Sequence, residues 1–583
     1  MGKFTVLEAG LTRFDLDKIE VLGRPCRPRI LVLTESSLNY RANSDFGLWR
    51  FLHGLTLAAG VTNKPVLTLA YRGVHSPASI AIEGDTYNIV NNFSFATASP
   101  AVTVANYDQI WLFGIDTGNA LPDNQVQVVA NFMNAGGGVF ATGDHAALGN
   151  GLCGDLPRIR RMREWNDIPM GIEDDVSVAV QRIDTVVNPG VGGIFEFDDQ
   201  SDNIPQRIYP NYKVSPSGSL WKAEIHPLLR LPGGTLVRTE GTGVDALFAN
   251  DMDVLPDHPH ESICRAPLAS QLDDMYTRTS PDFAEFQPSV ADGGVRQNAE
   301  IVAYAVSGGR AIYRVGYWKP PVRPRMFGVI CAYDGRLAQA YAGQSQRPGR
   351  IVCDSTWHHF VNTNLDGTGS GRTGLGAWSG GTPGSGTFTP STDLQKIFGY
   401  YRNIQAWLQP ANRVWCRLLW DLVAVRFNPK LIEELLEIRR LTGWRDVVGL
   451  GREAAQLIGQ ERGPGFAEAL VDDMLLLEEK NGGLADALRA NLLHDTDIDT
   501  ESLRHGVLGA MLAQLARELP AHDEEAAFKA LSRGPEKLVK PLTAAAQSAL
   551  QQGLEDQTRR TERTLAVLKE RRLPPVKTPR GKE

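Results

Sequence analysis

The chain has 583 residues, of which 42% are hydrophobic and 22% are charged, and its formal net charge is −7. These values are typical of a water-soluble globular protein with two or three domains, and they exclude the strong positive charge that would suggest a nucleic-acid partner. No stretch approaches about eighteen uninterrupted apolar residues, so we expect no membrane span and no membrane partner.

Residues 1–26 are interpreted as an N-terminal extension, because they lack the apolar core of a signal peptide. The six cysteines of the chain are scattered without a CxxC pair. This distribution favours reduced thiols over disulfides or a zinc ribbon. Together the two features predict a cytoplasmic protein.

Residues 27–408 are predicted to form an α/β domain. Apolar, β-branched runs alternate with helical patterns, which favours parallel pairing and right-handed crossovers. Residues 155–300 are rich in Asp, Pro and Gly, which predicts an irregular insertion across one end of the sheet. The predicted strands are 29–35, 65–71, 107–116, 138–142, 323–335 and 349–360, and the predicted helices include 123–135 and 391–408.

From residue 409 the strand patterns end, and Leu, Ala, Glu and Arg recur at helical spacing. Gly and Pro divide this region into short helices, so we predict an all-α C-terminal domain over 409–572. Such helices could mediate homo-oligomer formation or contact a protein partner. Residues 573–583 are basic and are predicted to be a disordered tail.

The stretch GGGVFATGDHAALGNGLCG ends a predicted strand in a polar turn, Asp144-His145. Polar side chains at the carboxyl end of a parallel strand face the ligand crevice of an open sheet. Glycines such as Gly143 allow close approach to a ligand. We therefore expect Asp144 and His145 to be catalytic, although Asp144 could instead cap a helix and His145 could bond only a neighbour.

The stretch DSTWHH also follows a predicted buried strand and supplies Asp354, Trp357, His358 and His359. Adjacent side chains of an extended segment point in opposite directions, so only one of the two histidines is expected to face the site. Asp354, His358 and His359 are candidate catalytic residues. Trp357 is a candidate ligand contact.

The stretch LPDHPHES contains His-x-His spacing, which suits a divalent metal ion. A small-molecule contact and a plain surface loop are the alternatives for this segment. The candidate metal ligands are Asp257, His258, His260 and Glu261.

Further ligand contacts are expected around the same predicted crevice. Glu35, Ser36 and Ser37 follow the first strand, where hydroxyls and backbone amides can bind a ligand. Arg158 begins an arginine-rich stretch, PRIRRMREW, that could meet an anionic ligand or form a solvated helix face.

These segments resemble the class I glutamine amidotransferase-like superfamily, and within it the ThuA-like (trehalose-utilisation-type) proteins. GGGVFATGDHAA looks like the family's strand and elbow, with His145 at the family's histidine, and GRIVCDSTWHHF matches a later strand through His358. IHPLLRLP resembles the family's His-Pro segment and makes His226 a candidate ligand contact. The resemblance implies a flavodoxin-like three-layer sandwich with a mostly parallel sheet. It argues against glutamine hydrolysis, because the elbow has no cysteine and Cys153 comes eight residues after His145.

The polar clusters support three hypotheses. The first is a hydrolase or lyase that acts on a polar small molecule, such as a sugar derivative, through His/Asp acid-base chemistry. The second is a variant in which a divalent metal ion activates water. The third is a non-catalytic ligand-binding or scaffold protein that assembles through its C-terminal helices.

Overall fold

The structure is a computed structural model. The residues it describes are 27–56, 64–144, 147–165, 205–217, 220–231, 238–239, 252–256, 263–290, 293–309, 312–314, 317–319, 322–369, 374–381, 383, 385–428, 431, 443–462, 466–477, 499–519, 523, 526–527, 529–530 and 536–570.

Within these residues the strands and helices are numbered in chain order. The strands are β1 (Arg29–Thr34), β2 (Val66–Tyr71), β3 (Ser79–Ile82), β4 (Asp85–Val90), β5 (Gln109–Phe113), β6 (Gly138–Thr142), β7 (Gln206–Pro210), β8 (Lys213–Ser217), β9 (Leu220–Glu224), β10 (Arg238–Thr239), β11 (Val254–Leu255), β12 (Met275–Tyr276), β13 (Phe283–Ala284), β14 (Glu300–Gly309), β15 (Ile312–Arg314), β16 (Tyr317–Lys319), β17 (Val322–Tyr333), β18 (Ile351–Asp354), β19 (Gly376–Ser379) and β20 (Thr387–Pro390). The helices are α1 (Trp49–Thr56), α2 (Asp123–Asn134), α3 (Ile159–Met162), α4 (Asn362–Asp366), α5 (Thr392–Trp407), α6 (Ala411–Arg426), α7 (Trp444–Arg462), α8 (Phe466–Leu477), α9 (Thr500–Glu518) and α10 (Glu536–Glu570).

A large mixed sheet forms the centre of the fold, in the order β11-β7-β14-β17-β18-β6-β5-β1-β2-β4-β3. The contiguous middle of this sheet, from β18 to β4, is parallel, and the flanking pairs are antiparallel. The prediction of an α/β fold with parallel pairing is therefore confirmed. The strand β17 was predicted, but its antiparallel pairing and the flank that it builds with β7, β11 and β14 were not.

The strands β1, β5, β6 and β18 are mostly apolar because both faces of the sheet are covered there, whereas β4 at the end of the parallel run is largely exposed. Every residue of β5 and β6 is buried. On one face, Ile30 and Val32 pack with the buried sides of α1 and α5. On the other face, Leu31 and Leu33 join a separate cluster that contains the buried side of α2. Two-sided burial thus explains the continuous apolar runs of the sequence.

The pairing register brings the ends of four parallel strands to one edge of the sheet. Thr34 of β1 pairs with Phe113 of β5, Phe113 pairs with Thr142 of β6, and Thr142 pairs with Asp354 of β18. We call this edge the carboxyl edge and the opposite edge the amino edge. Residues that follow these strands are neighbours in space although they are far apart in the chain.

The described residues after Pro410 include five helices, α6 to α10, and no strand. Their buried side chains form a hydrophobic cluster that shares no member with the two clusters on the sheet. Glycines allow these helices to approach one another closely. Gly509 of α9 packs against α7 so tightly that a side chain would clash, because its Cβ atom would lie 1.9 Å from the carbonyl oxygen of Val447. No helix among the described residues is long and apolar enough to cross a membrane.

Candidate active site at the carboxyl edge

Asp144 and His358 meet at the carboxyl edge. His358 Nε2 lies 3.1 Å from Asp144 Oδ2, and the Thr356 hydroxyl donates a hydrogen bond of 2.7 Å to Asp144 Oδ1. The Asp144 side chain is fully buried, whereas that of His358 is 21% exposed. The pair therefore has a buried carboxylate and an imidazole that reaches the surface.

The turn after β6 holds Asp144 in place because glycines let the chain fold tightly. A Cβ at Gly143 would lie 2.3 Å from the carbonyl oxygen of Leu148, and Gly149 has a φ of +91°. In this turn the Asp144 N–H donates to the Leu148 carbonyl. Gly143 is therefore needed for the close packing of the turn, because any larger residue would clash with Leu148. Its carbonyl accepts a 2.8 Å hydrogen bond from the N–H of Trp357 and so joins the two loops.

Aromatic packing fixes the ring of His358. The indole of Trp357 stacks on this imidazole at 4.4 Å between centroids with an interplanar angle of 17°. Phe46 packs edge-on against the other ring of the stack, Trp357, at 5.3 Å. The Thr356 hydroxyl also accepts a hydrogen bond from the His358 N–H. The imidazole of His358 is therefore held by the stacked indole of Trp357, and its backbone is held by the hydroxyl of Thr356.

His359 points away from this pair, into the interior. Its Nδ1 lies 2.8 Å from Asp354 Oδ1, and both side chains are fully buried. The Tyr400 hydroxyl donates to Asp354 Oδ2 at 2.9 Å, and Tyr401 donates to the His359 carbonyl. Burial raises the pKa of Tyr400 well above its ordinary value. These contacts attach α5 to the end of β18, which is a structural arrangement.

Glu35 occupies the same edge, after β1. It is buried, its Oε2 accepts from Arg72 at 2.7 Å, and its Oε1 accepts from the N–H groups of Ile115 and Asp116. Burial raises the pKa of Glu35 above its ordinary value, and the Arg72 guanidinium offsets this shift only in part. Ser36, whose hydroxyl donates to Asp116, is exposed at this edge.

Ser37 is also exposed at the carboxyl edge. Of the three residues proposed after β1, the two serines thus face solvent, while the Glu35 carboxyl is already engaged by protein groups.

Two other proposed ligand contacts lie elsewhere. His226 accepts a hydrogen bond from the Leu228 N–H and packs against Trp407, whose carbonyl accepts from Arg350 just before β18. His226 therefore lies toward the amino edge, away from Asp144.

Arg158 is fully buried rather than set on a solvated helix face. Its guanidinium donates to Asn134 at the end of α2 and to the Tyr341 hydroxyl. These contacts tie Arg158 into the packed interior on the side of the sheet that α2 covers.

The remaining predicted site residues are His145, Asp257, His258, His260 and Glu261, and they lie outside the described residues. Within the part of the chain that the structure describes, no group of three or more His, Cys, Asp and Glu side chains is arranged to hold a metal ion.

Cys153 is unsuited to replace the missing elbow cysteine. It is fully buried, and burial raises the pKa of its thiol far above the ordinary value. Only a thiolate is an effective nucleophile, so this thiol is poorly activated.

The sequence alone did not identify Thr356, Arg72 or Arg163 as part of this edge. Thr356 lies inside the quoted DSTWHH stretch, so its position was visible but its contact with Asp144 was not. Arg163 is one of four arginines in PRIRRMREW, and nothing in that spacing singles it out.

No protein-family model, curated protein or solved structure matches this chain. A buried carboxylate can fix the tautomer of an adjacent imidazole, and a partly exposed imidazole can exchange protons with a ligand at neutral pH.

Proposed function

We propose that this protein is a hydrolase or lyase that acts on a polar small molecule through acid-base chemistry at His358. The observation that carries this proposal is the 3.1 Å contact between His358 and the fully buried Asp144 at the ends of adjacent parallel strands. Asp144 orients the imidazole, and Thr356 orients Asp144. His358 then takes a proton from water or substrate and returns it to the leaving group.

The order of the parallel strands supports a finer assignment of the fold. The six parallel strands β4-β2-β1-β5-β6-β18 have the order 3-2-1-4-5-6 when they are counted along the chain, which is the order of a doubly wound sheet. β4 joins this sheet over only two residue pairs and forms a hairpin with β3, and the other five strands, β2-β1-β5-β6-β18, have the flavodoxin-like order 2-1-3-4-5. We propose a flavodoxin-like sandwich of the class I glutamine amidotransferase-like, ThuA-like type. The buried state of Cys153 is consistent with a member that does not hydrolyse glutamine, and a sugar derivative is the substrate class that we propose.

A non-catalytic binding role is the second candidate, and one buried atom favours it. The indole nitrogen of Trp357 is buried and has no acceptor among the described residues, so an acceptor atom of a ligand could satisfy it.

Turnover by matched variants tests the first proposal. The full chain is assayed with chromogenic esters, phosphate esters, glycosides and sugar lactones, and the wild type is compared with His358→Gln. His53→Gln is the control, because His53 is also partly exposed and also contacts a carboxylate, Glu83. Loss of turnover in His358→Gln alone supports catalysis. Equal turnover in all three proteins excludes it.

Binding without turnover would support the second candidate. The same compounds are tested for a rise in melting temperature of the wild type, then of Trp357→Phe, which keeps an aromatic ring but removes the N–H donor. A compound that raises the melting temperature of the wild type but not of Trp357→Phe, and that is not converted to product, would identify a binding protein.

A further inference from the structure

Arg163 is a fully buried cation whose hydrogen bonds all go to backbone carbonyls. Its Nη2 donates to the carbonyl of Asp144 at 2.6 Å and to that of Ser355 at 2.9 Å. Its Nε also donates to Ser355 at 3.1 Å, and its Nη1 donates to the carbonyl of Glu164 at 3.0 Å. One guanidinium thus bridges the ends of β6 and β18.

Such a group is costly to bury, because a guanidinium loses its hydration inside the protein. Among the described residues no carboxylate oxygen lies within ion-pair distance of Arg163, and burial lowers the pKa of this arginine. Trp165 lies against the guanidinium, 4.4 Å from its ring centroid. Arg163 also forms a backbone bridge to Cys264, which fixes the base of its side chain.

The two bridged carbonyls belong to the loops that form the proposed site. Asp144 itself carries the carboxylate, and Ser355 directly precedes Thr356, which donates to that carboxylate. A planar guanidinium can reach several acceptors in fixed directions, whereas a lysine ammonium is a single point donor. Arg163 therefore links the backbone of Asp144 to that of Ser355, three residues before His358.

We infer that Arg163 is a positioning residue that aligns Asp144 with His358, an inference that rests on the proposed function of this pair. Arg163 makes no hydrogen bond to the His358 imidazole and is fully buried, so we do not assign it a catalytic role. Its effect on chemistry passes through the two carbonyls that it holds.

The test is the ring resonance of His358 in the full chain, observed with ¹³Cε1-labelled histidine and assigned with His358→Gln. The variants are Arg163→Lys and Asp144→Asn, and the control is Arg158→Lys, which changes an equally buried arginine that bonds Asn134 and Tyr341 instead. We expect Arg163→Lys to move the His358 signal toward its position in Asp144→Asn. Arg158→Lys should lower the melting temperature without moving that signal.

An unmoved His358 signal in a folded Arg163→Lys protein would overturn the inference and leave Arg163 a purely structural residue. If Arg163→Lys does not fold, Trp165→Leu is the second variant, since it removes the ring against the guanidinium, together with an indole N–H that donates to the Ile159 carbonyl, and keeps the groups that bond Asp144, Ser355 and His358. A shifted signal supports the inference, and an unshifted signal overturns it.

The outcomes separate this inference from the proposed function. If the His358 signal moves in Arg163→Lys while His358→Gln keeps full turnover, the alignment is real and the catalytic proposal fails. If turnover depends on His358 but the signal does not move, the catalytic proposal stands and the inference fails.

Discussion

Asp144 Oδ2 and His358 Nε2 are 3.1 Å apart, although 214 positions separate the two residues in the chain. One member is fully buried and the other is 21% exposed. This asymmetry suits the roles that we propose, which are orientation for the carboxylate and contact with a ligand for the imidazole.

Replacing Asp144 by Asn should abolish most activity while keeping the fold. The amide has the shape of the carboxylate but not its charge, so it no longer stabilises the imidazolium or selects the tautomer. We expect turnover to fall by about 10²- to 10⁴-fold, the range typical of general acid-base catalysis. Glu83→Gln, which removes the carboxylate next to His53, is the control and should keep full turnover. A wild-type rate in Asp144→Asn would refute the proposed role of the carboxylate.

Replacing Arg72 by Met should destabilise the protein in a pH-dependent way. Burial already raises the pKa of Glu35, so the folded protein holds this proton more tightly than the unfolded chain, and stability falls as pH rises through the titration of Glu35. Without Arg72 the ionised carboxylate of Glu35 would be buried with no cationic partner. We expect the free energy of unfolding to fall by about 3 kcal/mol at neutral pH and by less in acid, where Glu35 is protonated.

Denaturant unfolding in mildly acidic and mildly alkaline buffer measures this difference. Lys64→Met is the control, because its partner Asp85 is 54% exposed and the pair should contribute less than about 1 kcal/mol. A loss of stability in Arg72→Met that is the same in both buffers would contradict the predicted titration of Glu35.

His75 should make the fold sensitive to acid. It is 4% exposed, its Nε2 accepts from the Tyr40 N–H at 3.0 Å, and its Nδ1 lies 2.7 Å from the Pro77 carbonyl. Burial lowers the pKa of His75, so the folded protein keeps this ring neutral while the unfolded chain binds the proton more readily. The stability contributed by neutral His75 is therefore present above about pH 6.5 and declines as the pH falls below it.

His75→Gln should show lower stability at neutral pH but a smaller further loss on acidification than the wild type. The measurement is the free energy of unfolding across this pH range. Ile80→Val, a change at a buried, non-titrating residue, serves as the control and should keep the wild-type pH dependence. If all three proteins lose stability in parallel, His75 does not cause the acid sensitivity.

The buried thiols should be inert in the folded protein. Burial raises their pKa values, which leaves almost no thiolate at neutral pH. We expect a thiol reagent to label them only in denaturant, as read by mass spectrometry of the peptides, and Cys153→Ala to keep full turnover. Rapid native labelling of Cys153 would reopen its role as a nucleophile. The thiols concerned are Cys153, Cys264, Cys331 and Cys353.

Much of the parallel sheet was predictable because burial on both faces leaves a mark on the sequence. The runs that contain β1, β2, β5, β6 and β18 are apolar, and each ends in polar residues. The antiparallel flank was harder to foresee, because β7 and β11 are short and lie within a region of irregular composition. Their place in the sheet depends on long-range pairing with β14 rather than on local pattern.

The sequence by itself determined the strands β1, β2, β5, β6 and β18 and the polar residues that follow them, because burial on both faces leaves a local pattern. It also predicted that only one of His358 and His359 faces the site, but it did so from the alternation of an extended strand, whereas β18 ends at Asp354 and both histidines lie in a 3₁₀ turn over Trp357–His359. Only the tertiary structure decided that His358 is the outward member, and that Asp144 is its partner. It also revealed Arg163 as the buried bridge between their loops. These facts depend on which strands lie side by side, and strand order is set by long-range packing that no local pattern encodes.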